Sequence, residues 1–198
     1  MEILSPNNHQ ILFGHEKVED KVLNFWKNNK LYHAIILSGN RGIGKCTLAY
    51  KISRYIMQST YNDKNNSLFE NDNTFKSLNI DPKSRVFKEI SNNICPNLCI
   101  VQKNNIDDDI NKNNEIYVDD IRYLKNFFQK KSSDNSWRIG IIDSADDLNI
   151  NSSNALLKLI EEPPDKSLII LISHQSRKLL DTIKSRCMEI KLNNLSDD

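Results

Sequence analysis

The sequence is short of the residues that staple, anchor or strongly charge a chain. Cysteine occurs four times in 198 residues, at 46, 95, 99 and 187, each in or beside an apolar stretch or a motif. That usage fits reduced thiols and excludes a disulfide-framed secreted module. No apolar run approaches the ~18 residues of a membrane-crossing helix. The start, Met1-Glu2-Ile3-Leu4-Ser5-Pro6, has neither the basic nor the apolar stretch of a secretory leader. A soluble, cytoplasmic protein with no membrane partner is expected. Net charge is nearly absent, because 27 Lys and Arg face 26 Asp and Glu for a balance of +1. A uniformly basic nucleic-acid coat is excluded, so any contact with DNA must come from a local patch or a partner subunit. Glycine is scarce. Of five in all, three fall between positions 39 and 44.

That stretch, Ser38-Gly39-Asn40-Arg41-Gly42-Ile43-Gly44-Lys45-Cys46-Thr47, follows the apolar run Ala34-Ile35-Ile36-Leu37 and opens a helical pattern from 46 to about 57. Strand, glycine turn and helix are the context of a phosphate-binding loop (P-loop). Backbone N–H groups turn inward around phosphate oxygens, the helix adds its positive end, and Lys45 reaches the outer phosphates. The next position breaks the pattern. Cys46 stands where a Ser or Thr hydroxyl would hold magnesium, a hard cation that prefers oxygen to sulfur. Thr47 sits about 100° further round the helix and is a poor substitute.

Residues 1–12 read as an irregular arm, and 13–192 as one α/β domain. A helix is expected over 14–27, with Val18, Val22, Leu23 and Trp26 at helical spacing. The asparagine-rich stretches 59–79 and 103–114 read as polar surface loops, the first with a weak helix as its alternative, and 193–198 as a tail. Short apolar runs predict strands at 34–37, 97–101, 138–143, 167–173 and 188–192. Helices are predicted at 85–90, from a cap at Asp119 or Asp120 onward, at 154–160 and at 178–184. Alternating strands and helices give a parallel five-stranded sheet covered on both faces, with Ala34–Leu37 expected in its centre.

In P-loop enzymes a second strand supplies a carboxylate toward magnesium, and Asp143 after Ile141-Ile142 occupies that place. The residue that follows is Ser144, whose hydroxyl cannot serve as a general base near neutrality. Asp146 and Asp147 read as solvated acids near a helix start. With hydroxyl ligand and base both replaced, ATP with magnesium is expected to bind weakly or not at all, and hydrolysis is not expected. Cys95 and Cys99 lack the four ligands of a structural zinc site, and no metal is assigned. Phe127, Phe128 and Trp137 beside Lys125, Lys130 and Lys131 read as a helix with an apolar face and a basic outer face, in preference to a base-stacking surface.

Asn154-Ala155-Leu156-Leu157-Lys158-Leu159-Ile160-Glu161-Glu162-Pro163-Pro164, followed by Ser185-Arg186-Cys187, resembles the signature of clamp-loader subunits of the AAA+ class. The resemblance runs over about 11–192. Gly-Lys-Cys, Asp-Ser-Ala-Asp and the lack of a four-cysteine module favour the delta-prime branch of that family over its tau/gamma ATPases. It implies a RecA-like AAA+ fold and a degenerate nucleotide site built from Gly39, Gly42, Gly44, Lys45, Cys46, Thr47, Asp143 and Ser173, with His174 beside the last. It also implies that Arg186 acts as an arginine finger in the ATP site of a neighbouring subunit, where a planar guanidinium bridges γ-phosphate oxygens. The residues themselves leave open a surface arginine paired with Glu189 or Asp181. Implied partners are the tau/gamma and delta subunits of bacterial DNA polymerase III, with the sliding clamp and primed DNA reached through the complex. On the same resemblance a helical lid and collar would follow the domain. The sequence ends at Asp198 before either, which reads as a truncation, a split gene or a fragment. Two alternatives stay open: an active tau/gamma-like ATPase using Thr47 and Asp146 in displaced roles, and an AAA+ adaptor without a finger.

Overall fold

The computed structural model describes residues 5–65, 77–103, 115–130 and 136–194. In chain order the elements are α1 (Glu16–Lys27), β1 (Ala34–Ser38), α2 (Lys45–Asn65), α3 (Arg85–Ser91), β2 (Leu98–Gln102) and α4 (Val118–Gln129). They continue with β3 (Arg138–Asp143), α5 (Ile150–Glu161), β4 (Ser167–Ser173), α6 (Asp181–Lys184) and β5 (Met188–Lys191). Short 3-10 turns lie at Ala145–Asp147 and Ser176–Lys178.

The five strands form one sheet in the order β2-β3-β4-β1-β5, with every pairing parallel. The centre is therefore β4, flanked by β3 and β1; the expectation of a central β1 is corrected. Both strands are buried throughout, because β5 lies outside β1. An apolar run reports burial on both faces and nothing about rank across the sheet.

Alternation sorts the strand residues between two cores. Ile35, Leu37, Ile141, Ile170, Ile172 and Ile190 pack with α1, α2 and α3. Ala34, Ile36, Ile142, Ile169 and Leu171 pack with α4, α5 and α6. Gly140 lets α4 come close, since a Cβ there would meet Leu124 Cδ1 at 2.7 Å and Phe128 Cζ at 3.0 Å.

Several boundaries differ from the sequence reading. Helix α2 runs on to Asn65 instead of yielding to a loop at 59, because Ser59 and Thr60 donate their hydroxyls to the Ile56 carbonyl at 3.0 and 2.8 Å. Polar residues satisfied by their own helix need not end it. Residues 66–76 and 104–114, the rest of the two expected polar loops, lie outside the described residues, as does Lys131. Neither Asp119 nor Asp120 caps α4. Tyr117 is the cap residue, and Asp120 in the first turn accepts its backbone N–H at 2.9 Å. Helix α5 starts earlier than expected, after Asn149, whose side chain accepts from Ser152 N at 2.9 Å. The expected helix at 178–184 divides into the 3-10 turn and α6.

The arm is irregular, but it is bound down. Arg54 of α2 is 2% exposed and donates to the carbonyls of Asn7 (3.2 Å) and His9 (2.6 Å), with its guanidinium 4.5 Å from the Phe87 ring centroid. Among the described residues, two carbonyls and an aromatic face thus meet this buried charge. Trp137 packs on Trp26 and Phe128 is in the core, so neither is a base-stacking platform.

Candidate nucleotide site and the arginine edge

Parallel α/β sheets place their ligand sites at the carboxyl ends of the strands. Here Gly39 to Thr47 leaves β1 at that edge, Asp143 ends β3 and Ser173 ends β4. The loop conformation needs its glycines. Gly39 has φ +146°, and a Cβ there would meet the Leu192 carbonyl oxygen at 2.5 Å. Gly44 has φ +94°, and a Cβ there would strike Leu12 Cδ1 at 2.3 Å. Leu12 of the arm therefore sits on the glycine just before α2, and His15 Nε2 lies 2.9 Å from the Ile43 carbonyl oxygen. Sequence gave no signal for either contact.

Lys45 is 3% exposed and turns back on its own loop, donating to the carbonyls of Gly39 (2.7 Å) and Asn40. Burial lowers its pKa, opposed by the charges of Asp146 and Asp143. Cys46, one residue on, lies within the field of the Asp143 carboxylate; burial first, and then that carboxylate, push the thiol up to about 12. It is thus a protonated thiol, not a thiolate. Of the two groups that would share magnesium in a hydrolytic site, one is sulfur and keeps its proton. The donor set does not fit the ion. Thr47 is buried in the first turn of α2.

Asp146 is not a solvated acid. Its carboxylate accepts the Ser173 hydroxyl at 2.7 Å, the Ser144 hydroxyl at 3.1 Å, and the backbone N–H groups of His174 and Gln175. Four donors leave little capacity for a metal. Ser173 is spent on the same carboxylate. His174 Nδ1 is buried without a partner among the described residues, and its pKa is lowered by burial and then by Lys45. Asp147 meets Lys103 at 3.6 Å. A cavity of about 560 Å³ opens here, lined among others by Asn40, Arg41, Asp143, Asp146, His174 and Lys178.

Arg186 is elsewhere. It precedes Met188, which registers with Ile35 near the start of β1, so it lies at the amino ends of the strands, opposite the loop. Its Nε lies 3.0 Å from Glu161 Oε1 and its Nη1 donates to the Thr182 carbonyl at 3.1 Å, with the side chain 42% exposed. Neither acid suggested by sequence is the partner: Asp181 pairs with Lys184 at 2.7 Å, and Glu189 lies on the strand side facing away from Ile190. Glu161 could have been found from the Glu-Glu-Pro-Pro stop, which sets the end of α5 at that edge. Cys187 beside it is a half-buried thiol pushed up to about 12 by burial. Cys95 and Cys99 pack into opposite cores, and among the described residues no group of three or more His, Cys, Asp or Glu could hold a metal.

A five-stranded parallel sheet in this order, with a glycine loop closing on the first turn of α2, defines a P-loop AAA+ domain. Solved structures agree in fold. A DNA polymerase III gamma subunit-related protein from Thermotoga maritima superposes with a TM-score of 0.51 at 20% identity, covering 88% of this chain and 46% of that one. The RuvB Holliday junction branch migration motor of the same organism gives 0.51 at 14% identity, covering 95% and 49%. A sequence profile of the family described as DNA polymerase III, delta subunit, matches residues 14–196, and the chain belongs to this family. Among curated relatives, DNA polymerase III subunit gamma of Buchnera aphidicola (subsp. Schizaphis graminum) is 28% identical over 201 residues, covering 98% of this chain and 47% of the relative. Subunit delta' of Bacillus subtilis is 27% identical over 174 residues, covering 88% and 46%. Subunit delta' of Pseudomonas aeruginosa is 40% identical over 74 residues, covering 37% and 23%. The chain spans about half the length, or less, of these relatives. No helix among the described residues is long and apolar enough to cross a membrane.

Proposed function

We propose that this chain is a non-hydrolysing AAA+ subunit of a clamp loader, of the delta-prime kind. It would stand beside tau/gamma and delta subunits, lend Arg186 to the ATP site of its tau/gamma neighbour, and so help load the sliding clamp onto primed DNA. The observation that carries this reading is the self-closed phosphate loop, with Lys45 on its own carbonyls and a protonated thiol, Cys46, where the metal's hydroxyl ligand belongs. A loop whose lysine is engaged internally and whose metal side is a thiol is suited to support and not to turnover. Arg186, half-exposed and remote from that loop, is free to serve another subunit.

A second reading is an active tau/gamma-like ATPase, favoured by the gamma relative that aligns over 98% of the chain. Phosphate release separates the two. The chain alone is expected to give no magnesium-dependent turnover. In a loader assembled with its tau/gamma and delta subunits, Arg186→Ala is expected to lower clamp- and DNA-stimulated turnover about tenfold or more. Turnover by the isolated chain would support the ATPase. Wild-type rates in the Arg186→Ala assembly would leave an adaptor without a finger.

A further inference from the structure

The Glu-Glu-Pro-Pro stop does more than end a helix. Glu161 is the last residue of α5 and Glu162 its cap, both exposed, with Asp165 close behind. Carboxylates at a helix carboxyl end oppose the helix dipole, so local stability does not account for them. Nor does the ion pair, since its partners are 42% and 46% exposed and such pairs add little to folding. What the pair does is geometric. Glu161 Oε1 lies 3.0 Å from the Nε of Arg186 as its ion-pair partner. The Thr182 carbonyl takes Nη1 at 3.1 Å, and the Ser185 hydroxyl accepts a weaker bond from it at 3.4 Å. Among the described residues Nη2 has no partner. The guanidinium is held at one end, with its remaining N–H groups unspent. A flexible arginine loses much rotamer freedom when it docks, and a side chain already fixed in plane loses less.

We propose that Glu161 is the positioning residue for Arg186, holding the guanidinium through their ion pair so that its Nη2 side meets the γ-phosphate oxygens in the neighbouring subunit. This rests on reading Arg186 as a finger. Glu161 touches no reacting atom; it acts through the arginine alone.

The test uses the assembled loader with Glu161→Ala, Glu161→Gln, Arg186→Ala and the double variant Glu161→Ala/Arg186→Ala. Glu161→Ala is expected to lower the neighbour's kcat about tenfold, as the ion pair that orients the guanidinium is lost, and leave its KM for ATP within about twofold. Glu161→Gln keeps the side chain's length without its charge and is expected to restore little of the rate. The double variant is expected to be no slower than Arg186→Ala. In the isolated chain the Nε–H resonance of Arg186 should shift and exchange faster in Glu161→Ala, with an unchanged melting temperature. Wild-type kcat in Glu161→Ala with a slow Arg186→Ala overturns the positioning role and leaves the finger standing. Wild-type kcat in both removes the finger reading and this proposal with it. A faster Glu161→Ala, or additive losses in the double variant, overturns the proposal too, because Glu161 would then compete with phosphate or act by another route.

Discussion

Cys46 is one atom away from an ordinary phosphate loop, and that atom changes what its neighbours can do. A threonine hydroxyl there would present oxygen to a cation between itself and Asp143; the thiol presents sulfur and, pushed up by burial and by Asp143, keeps its proton. Cys46→Thr is therefore expected to raise magnesium-dependent ATP affinity by about tenfold or more in calorimetric titration, as one ligand of the right chemistry is restored. Affinity that stays unchanged would move the cause to Lys45 and Leu12, which close the loop from either side. The departure at Cys46 was legible from sequence, because a motif fixes which atom belongs at each place. That Lys45 would fold onto Gly39 and Asn40 was not, since a motif records identity and not rotamer.

At the scale of elements, Asp146 ties the turn after β3 to the end of β4. Asp146→Ala removes the acceptor for Ser173, His174, Gln175 and Ser144 together. A loss of about 2–3 kcal/mol in urea unfolding is expected, with faster amide exchange at His174 and Gln175. A change below about 0.5 kcal/mol would show that water replaces the carboxylate without cost. Strands and helices were legible nearly everywhere, because each apolar run has the length and period of its element. Two features were not. The order of β1 and β4 was hidden because both runs are wholly apolar. Asp146 was misread because its partners lie 27 to 29 residues away and no local pattern points to them. The partner of Arg186 was within reach of the sequence, but only through the Glu-Glu-Pro-Pro stop: Asp181 and Glu189 are near along the chain, while Glu161 is near in space.

For the whole molecule, buried acids set the alkaline limit. The thiols of Cys46 and Cys187 are pushed up to about 12, Cys99 to about 11, and the Tyr50 phenol to about 12, in each case chiefly by burial. Their ordinary values are 9.0 for a thiol and 10.0 for the phenol, so the unfolded chain gives up protons that the folded chain keeps. Their contribution is complete below about pH 9 and falls as pH rises toward the folded values, by up to about 1.4 kcal/mol per group and pH unit. Urea midpoints are expected to drop between about pH 8 and pH 10.5, and Cys46→Thr should flatten part of the fall. A midpoint constant across that range would contradict the burial of these groups.

The sheet also gives the molecule a direction. Its loop lies where the strands end, while Arg186 and Glu161 lie where they begin, and the two edges cannot face one partner at once. Two copies related by a twofold axis would have to offer the same patch to each other, which opposite edges forbid. In the proposed loader, association through these edges would be head-to-tail and would grow as a ring or a spiral. Within such an array a subunit that offers an arginine forward, and keeps its own loop shut behind, would mark an end, where a row of working sites stops.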